Sequence, residues 1–243
     1  MVITKKAIEN EILIKKVSHL LEKLEINHKN IAHYILAFIH RSIVNERPDY
    51  APEHNERLEF LWDAVLELVV TDNLFREFPK KPEGELTDIR SALVRGSNLS
   101  KIAKSTGLPD YLVLWKWEEL SWGRSNDYLL ANVVEALLGA VYLDLGLNAA
   151  TEFVNKYIYP TLWEILENNL TKDYKTLIQE LAQAKFEITP TYKIISETGP
   201  DHDKIFEVWI YLNEKQIWTG TGSSKKKAQE HAAKNSYDDL ESK

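Results

Sequence analysis

The first two thirds of the chain carry apolar residues at helical spacing. These residues recur every three to four positions in segments that are separated by short polar, glycine- or proline-containing stretches. No strand-like alternation of apolar and polar residues occurs before residue 185. The pattern predicts an all-α domain whose helices lie within 8–24, 31–39, 56–78, 86–107 (a pair), 129–145 and 149–166.

A polar stretch at 169–172 leads into a shorter segment of different character. One short helical segment is followed there by three segments rich in β-branched and aromatic residues, and then by a final helix. We predict these elements at 173–184, 191–196, 205–212, 216–220 and 223–237. The order α-β-β-β-α predicts a small α+β domain over 173–243, after an all-α domain over 1–168 and a linker over 169–172.

Composition and charge restrict the possible functions. The chain has no cysteine, which excludes disulfides, cysteine-ligated zinc and thiol nucleophiles. No apolar run approaches the roughly 18–20 residues of a membrane span, and the first residues lack the apolar core of a signal peptide. We therefore expect a cytoplasmic protein that does not bind membranes. The net charge is −7 overall and −2 over 173–243, so any surface for nucleic acid must be local.

Two apolar helical segments each contain a pair of oxygen ligands. The segment 56–70 is apolar on every side, which predicts burial, yet Glu59 and Asp63 lie four residues apart on one face. In the segment 129–143, Asn132 and Glu135 lie three apart. Two carboxylates together in an apolar interior are costly unless a cation or a hydrogen-bond donor pairs with them, and an all-oxygen set suits Mg²⁺. Acidic pairs also occur on ordinary solvated helix faces, and the spacing alone leaves both interpretations open.

These segments also carry a resemblance to a known family. The stretch HNERLEFLWDAVLELVV resembles NERLEFLGDAVL, the signature of the ribonuclease III family, and the similarity continues through PEGELTDIRSALVRGSNL and LLANVVEALLGAVYLDLG. The stretch GTGSSKKKAQEHAA resembles the G-x-G-x-SKK-x-A-x-x-AA signature of double-stranded RNA-binding domains. The resemblance covers nearly the whole chain. It implies an all-α endonuclease domain followed by a double-stranded RNA-binding domain.

The resemblance implies a metal site. Glu59, Asp63 and Glu135 match three of the four metal-binding acids of the family, and Asp63 and Glu135 are the expected catalytic pair. Asn132 falls where most members have Asp, so we expect a fourth ligand without charge and a weaker affinity for metal. The expected cofactor is Mg²⁺, for which Mn²⁺ can substitute. The positions that match supporting or RNA-contacting residues are Glu56, Glu83 and the HRS element His40, Arg41 and Ser42.

The tail carries a candidate phosphate-binding turn. Three lysines, at 225–227, lie in the first turn of the last predicted helix, where the positive end of the helix dipole favours an external anion. A solvated basic run is the alternative. The resemblance implies that Lys225 and Lys226 bind phosphates across a major groove. It also implies that Gln179, Glu180 and His202 reach two minor grooves.

The function implied is cleavage of double-stranded RNA in the processing of ribosomal and messenger RNA. By resemblance, a metal-activated water attacks the backbone phosphorus and leaves 5′-phosphate and 3′-hydroxyl ends. The protein is expected to act as a homodimer through its nuclease domain. The alternative is a non-catalytic relative that binds double-stranded RNA or the ribosome. The three intact carboxylates favour the enzyme, whereas Asn132 and Trp62 favour the alternative.

The tryptophans are unusual in number and position. The chain has seven tryptophans and nine glycines, and Trp62, Trp122 and Trp218 stand where the resemblance predicts glycine. With all seven replaced, glycine would be about 6.6% of residues, near the usual ~7%. Some bacterial lineages read UGA as glycine, whereas other codes read it as tryptophan. The residues are therefore either genuine tryptophans, with packing or RNA-stacking roles, or glycines encoded by UGA.

Overall fold

The protein is described by a computed structural model. The structure describes residues 10–51, 53–168, 170–200 and 204–241. The chain divides into two compact units, Met1–Thr171 and Lys172–Lys243.

The first unit is built from helices. Two short 3₁₀ turns, at Leu108–Tyr111 and Gly123–Ser125, and a π-helical turn at Val154–Ile158 connect them. The helices are α1 (Glu11–Lys23), α2 (Ile31–Ala37), α3 (Arg41–Glu46), α4 (Glu56–Glu77), α5 (Glu83–Val94), α6 (Gly96–Thr106), α7 (Lys116–Leu120), α8 (Asp127–Leu145), α9 (Leu147–Phe153) and α10 (Thr161–Glu167).

Helix α8 is the centre of this unit, and α2, α4, α6 and α9 pack around it. Among the described helices, its length and hydropathy are those of a possible membrane span, but most of its apolar window is buried against the other helices, as in a core helix. Where α4 crosses α8, the backbones touch, because a Cβ atom on Gly139 would overlap the carbonyl oxygen of Leu58. This close crossing brings Glu59, the next residue on α4, near Glu135, one turn earlier on α8.

The all-α class predicted for this unit is confirmed, but two expectations about its helices are wrong. Helix α4 is not buried on every side, because Phe60, Leu68 and Phe75 are exposed. Helices α3 and α7 were not predicted, because six and five residues are too few to show a helical repeat.

The second unit has the predicted order α-β-β-β-α. Its sheet is antiparallel with strand order β1-β2-β3. The last helix packs on β2 and β3, the first helix packs against the last, and the small core between them includes Ile178, Ile210 and Ala232. Cβ atoms on Gly220 and Gly222 would overlap the last helix, so that helix lies directly on β3. The elements are α11 (Tyr174–Phe186), β1 (Thr191–Thr198), β2 (Ile205–Leu212), β3 (Lys215–Gly222) and α12 (Lys225–Glu241).

Candidate active site and RNA-binding surface

Helices α4 and α8 bring three carboxylates close enough to repel one another. Burial, followed by the charges of Glu59 and Asp63, raises the pKa of Glu135 to about 8. The pKa of Glu59 is also raised, first by burial and then by the charges of Glu56 and Asp63. The predicted ligands Glu59, Asp63 and Glu135, from two separate segments, therefore lie in one electrostatic cluster.

No cation offsets this cluster within the described part of the chain. Neither Glu59, Asp63 nor Glu135 forms an ion pair with a described residue, and the buried Oε2 of Glu59 has no hydrogen-bond partner. A hard divalent cation fits such a set chemically, because every donor is oxygen and one buried oxygen is unsatisfied. As they stand, however, no three His, Cys, Asp or Glu side chains among the described residues form a group that could hold a metal ion. Ion binding therefore requires the side chains to turn toward a common point.

Two of the predicted ligands, Asn132 and Asp63, differ in how far they are buried. Asn132 is half-buried on α8, three residues before Glu135, and makes no hydrogen bond to a described residue. Asp63 is exposed, so the expectation that both carboxylates of α4 lie in an apolar interior is wrong for Asp63. Its exposure follows from its position on the side of α4 that the rest of the unit leaves uncovered.

Glu56 lies beside Arg41 and His54, unlike Glu59 and Asp63, which form no ion pair with a described residue. Its Oε1 is 3.4 Å from Nη1 of Arg41, and its Oε2 is 3.7 Å from Nδ1 of His54. The HRS element holds the segment that carries Arg41, since the His40 ring caps α3 and Ser42 Oγ accepts a hydrogen bond from the backbone N–H of Trp115. Burial lowers the pKa of His40. The sequence did not single out His54, because it lies in an irregular loop.

Glu83 is not brought into the carboxylate cluster by any described interaction. It is exposed at the start of α5, where it accepts a hydrogen bond from Thr87 Oγ1 at 3.3 Å. It lines a cleft of about 400 Å³ between α4 and α5, together with Phe75 and Leu86. The assignment of Glu83 as a supporting or RNA-contacting residue therefore stays a prediction.

The exposed face of α4 is a feature that the sequence analysis missed. Phe60, Leu68 and Phe75 are 83%, 57% and 70% exposed. At 100° per residue, the three lie within about 80° of one another around the helix axis. Large apolar side chains grouped on one surface mark a contact site in soluble proteins.

In the second unit, the first turn of α12 presents the predicted lysines to solvent. Lys225, Lys226 and Lys227 are all exposed, and Ser224 Oγ accepts a hydrogen bond from the backbone N–H of Lys227. Gln179 and Glu180 are exposed on α11. The last predicted contact, His202, lies outside the described residues.

The tryptophans at the three family glycine positions have different environments. Trp62 is completely buried, and its indole N–H has no hydrogen-bond partner among the described residues. Trp122 has a left-handed backbone (φ 62°) and a side chain that is 79% exposed. Trp218 donates a hydrogen bond to Asp239 at 3.1 Å. A bulky side chain in the left-handed region is an outlier, and glycine is the residue that adopts it without strain.

The fold and the carboxylate cluster together define a nuclease that carries a separate domain for double-stranded RNA. Residues 30–162 match the family model described as Ribonuclease-III-like, and residues 174–240 match the double-stranded RNA binding motif. The chain belongs to the ribonuclease III family. Nucleases of this family are metal-dependent.

Individual relatives agree with this assignment. Ribonuclease 3 of Borreliella afzelii is 44% identical over 218 residues, which cover 90% of this chain and 89% of that protein. The crystal structure of the nuclease domain of ribonuclease III from Campylobacter jejuni is 35% identical, with a TM-score of 0.55, and covers 60% of this chain and 96% of that one. A second structure of that domain (35% identity, TM-score 0.55, 59% and 99% coverage) is described as showing flexibility in a region involved in dimer formation.

Proposed function

We propose that this protein is a Mg²⁺-dependent endoribonuclease that cleaves double-stranded RNA during the processing of ribosomal and messenger RNA in the cytoplasm. The observation that carries this proposal is the cluster of Glu59, Asp63 and Glu135, whose mutual repulsion no described cation relieves. Carboxylates placed so close together repel one another and cost free energy of folding, unless the protein binds a cation there when it functions. The adjoining RNA-binding domain supplies the substrate class.

Each residue of the cluster has a separate part in this proposal. Glu59, Asp63 and Glu135 would hold the Mg²⁺ through carboxylate oxygens, with Asn132 as a neutral fourth ligand and Mn²⁺ as a possible substitute. When bound, the metal supplies Lewis-acid chemistry, which activates water and offsets charge on the phosphate. Asp63 and Glu135 would orient the attacking water, and the products would carry 5′-phosphate and 3′-hydroxyl ends.

The remaining site residues would act on the RNA. Glu56, held by Arg41 at 3.4 Å, and Glu83 would line the path of the duplex. In the second domain, Lys225 and Lys226 would bind phosphates, while Gln179, Glu180 and His202 would reach the minor grooves. Such contacts depend on phosphates and duplex shape, so binding should weaken steeply with salt.

Glu135→Gln tests the catalytic assignment. The variant should lose cleavage of long duplex RNA at saturating Mg²⁺ and should bind the same duplex in EDTA with a Kd within about twofold of the original, because the tail domain is untouched. Gel assays of cleavage and fluorescence-anisotropy titrations would measure the two properties. The exposed acid Glu167, changed to Gln, is the matched control. Undiminished cleavage by the Glu135 variant would exclude the assigned site.

A non-catalytic role in RNA binding is the second candidate. It is favoured by the missing charge at Asn132 and by the fact that the described side chains do not surround a common metal position. If the unmodified protein binds duplex RNA but cleaves none of it at any Mg²⁺ or Mn²⁺ concentration, this second function replaces the first.

We further propose that the nuclease domain forms a homodimer through α4. In a two-fold contact of antiparallel α4 helices, Phe60 of one protomer would enter the cleft of about 400 Å³ beside Phe75 of its partner. This contact would also cover Leu68, near the middle of the exposed face. The proposal accounts for an apolar face that a monomer would leave in water.

Phe60→Ala tests the dimer by sedimentation. Burial of one Phe contributes about 1.5–3 kcal/mol, and two copies are lost per dimer, so the dissociation constant should rise by at least about 100-fold. Ile12→Ala on α1, where Ile12 is 71% exposed, should leave it unchanged. An equally stable dimer of the Phe60 variant would exclude this interface.

A further inference from the structure

Lys225, the first residue of α12, is held by two neighbours in the RNA-binding domain. Its Nζ is 3.3 Å from Oε1 of Glu197, at the end of β1, and 5.7 Å from the centre of the Phe206 ring, at the start of β2. The side chains of Lys225 and Glu197 are 58% and 40% exposed. Both therefore remain accessible to a ligand from solvent.

The strand register produces this arrangement. Glu197 pairs with Phe206 across β1 and β2, and Phe206 pairs with Gly222 across β2 and β3. Lys225 begins α12 just three residues after Gly222. The carboxylate, the ring and the ammonium group are therefore fixed side by side by the sheet, not by adjacency in sequence.

Glu197 and an RNA phosphate would need the same donor. A phosphate that approached Lys225 would meet the carboxylate beside it, and like charges at that distance repel. Lys226 and Lys227 differ, because neither forms an ion pair with a described residue. Among the described residues, the first turn of α12 therefore presents two lysines without an ion-pair partner and one whose charge Glu197 offsets.

We propose that Glu197 is an internal competitor for the phosphate at Lys225 and lowers the affinity of this domain for double-stranded RNA. This inference rests on the proposed contact of the first turn of α12 with phosphates. It assigns to Glu197 a part in setting RNA affinity. In a domain whose net charge is −2 over 173–243, removal of this one charge should have a measurable effect.

Glu197→Gln is the direct test, since it removes the charge and keeps the shape of the side chain. The full-length protein is titrated with an RNA duplex of about 20 base pairs, longer than the ~16 that such a domain spans, in EDTA so that no strand is cut. We expect binding about two- to fivefold tighter at low salt, the range typical of an exposed ion pair. The slope of log K against log salt should become steeper by up to about 0.9, the contribution of one phosphate contact.

Two further variants separate competition from a general effect of charge. Glu214→Gln makes the same change of net charge in the β2–β3 turn, about 25 Å away along the eight-residue strand β3, and should change affinity by less than half as much. Lys225→Gln should weaken the Glu197→Gln protein more than it weakens the original. Equal effects of Lys225→Gln in both backgrounds, or no gain of Glu197→Gln over Glu214→Gln, would overturn the inference.

Lys226→Gln distinguishes failure of this inference from failure of the proposed RNA contact. If Lys226→Gln weakens binding but Glu197→Gln leaves it unchanged, the first turn of α12 binds phosphate and only the competition is excluded. If Lys226→Gln has no effect on binding or on its salt dependence, the phosphate contact itself is wrong, and the role of Glu197 is excluded with it.

Discussion

Glu135 should make the metal-free nuclease domain less stable as the pH rises. Its pKa in the folded protein is raised from 4.5 to about 8, so between these values the unfolded chain has lost a proton that the folded chain keeps. Stability then falls with increasing pH. Below pH 4.5 the group is protonated in both states and contributes nothing, and above pH 8 the loss is complete.

Glu135→Gln should remove this loss, because Gln resembles the protonated acid. The full shift corresponds to at most about 5 kcal/mol at about 1.4 kcal/mol per pKa unit. Glu135 is half-buried and water screens its neighbours, so we expect about 2–3 kcal/mol. At 2–4 °C per kcal/mol, the Tm of the variant should exceed that of the original by roughly 5–10 °C at pH 8.5 in EDTA.

Scanning calorimetry between pH 5 and pH 8.5 measures this difference. The gap in Tm between the two proteins should be near zero at pH 5 and should widen toward pH 8.5, while Glu167→Gln should show no widening. Added Mg²⁺ should raise the Tm of the original more than that of the variant, because a ligand stabilises the form that binds it. A gap that is constant with pH, or that narrows, would refute the proposed repulsion among the carboxylates.

Two further predictions concern substitutions at single positions. Asn132→Asp should lower the Mg²⁺ concentration for half-maximal cleavage several-fold, because a restored ligand charge contributes about 1–2 kcal/mol and roughly 1.4 kcal/mol is tenfold; an unchanged requirement in a Mg²⁺ titration would show that Asn132 is not a ligand. Trp122→Gly should raise the Tm by about 2–4 °C, because it relieves about 1 kcal/mol of left-handed strain; a lower Tm in a thermal melt would show that the exposed indole stabilises the domain.

The sequence predicted the helices and strands that have a strong repeat of apolar residues. Helix α8 was expected over 129–145 and spans Asp127–Leu145, and β2 was expected and found over Ile205–Leu212. In both elements the apolar positions face a core, so the repeat and the burial agree. The grouping of the candidate ligands within each helix was also predictable, because Glu59 and Asp63 lie four residues apart on α4, and Asn132 and Glu135 lie three apart on α8.

Other features depend on contacts between distant segments, which a sequence pattern does not contain. A repeat of apolar residues shows which faces are apolar but not what covers them, so it predicts burial for the side of α4 at Phe60 that the structure leaves exposed. The ion pair between Glu197 and Lys225 joins residues that are far apart in sequence, and strand register brings them together. The loop that carries His54 is likewise held by a segment outside it, since the backbone N–H of Asn55 donates a hydrogen bond to the carbonyl of Ile39 at 3.0 Å.

Position 62 offers a test of whether the tryptophans are genuine. Trp62 lies one turn after Leu58 on α4, and at Leu58 the backbone of α4 already touches α8 through Gly139. Glycine at 62 would allow this close crossing to continue for another turn, beside Glu59 and Asp63. The indole instead fills the space and buries an N–H that has no described partner, which costs about 1–3 kcal/mol.

We therefore expect Trp62→Gly to be more stable and more active than the protein with tryptophan, despite the roughly 1 kcal/mol cost of glycine inside a helix. If Trp62 is a genuine core residue, the variant should instead be less stable, because deletion of a well-packed buried tryptophan costs about 3–5 kcal/mol. The two expectations predict opposite changes in Tm and in cleavage rate, which thermal melts and cleavage assays of the two proteins measure. Mass spectrometry of the peptide LEFLWDAVLE and of the peptides that cover positions 122 and 218, all from the native organism, gives an independent answer. We expect the mass of glycine at 62, 122 and 218, and an indole mass at 62, together with a destabilised Trp62→Gly variant, would establish Trp62 as a genuine core residue.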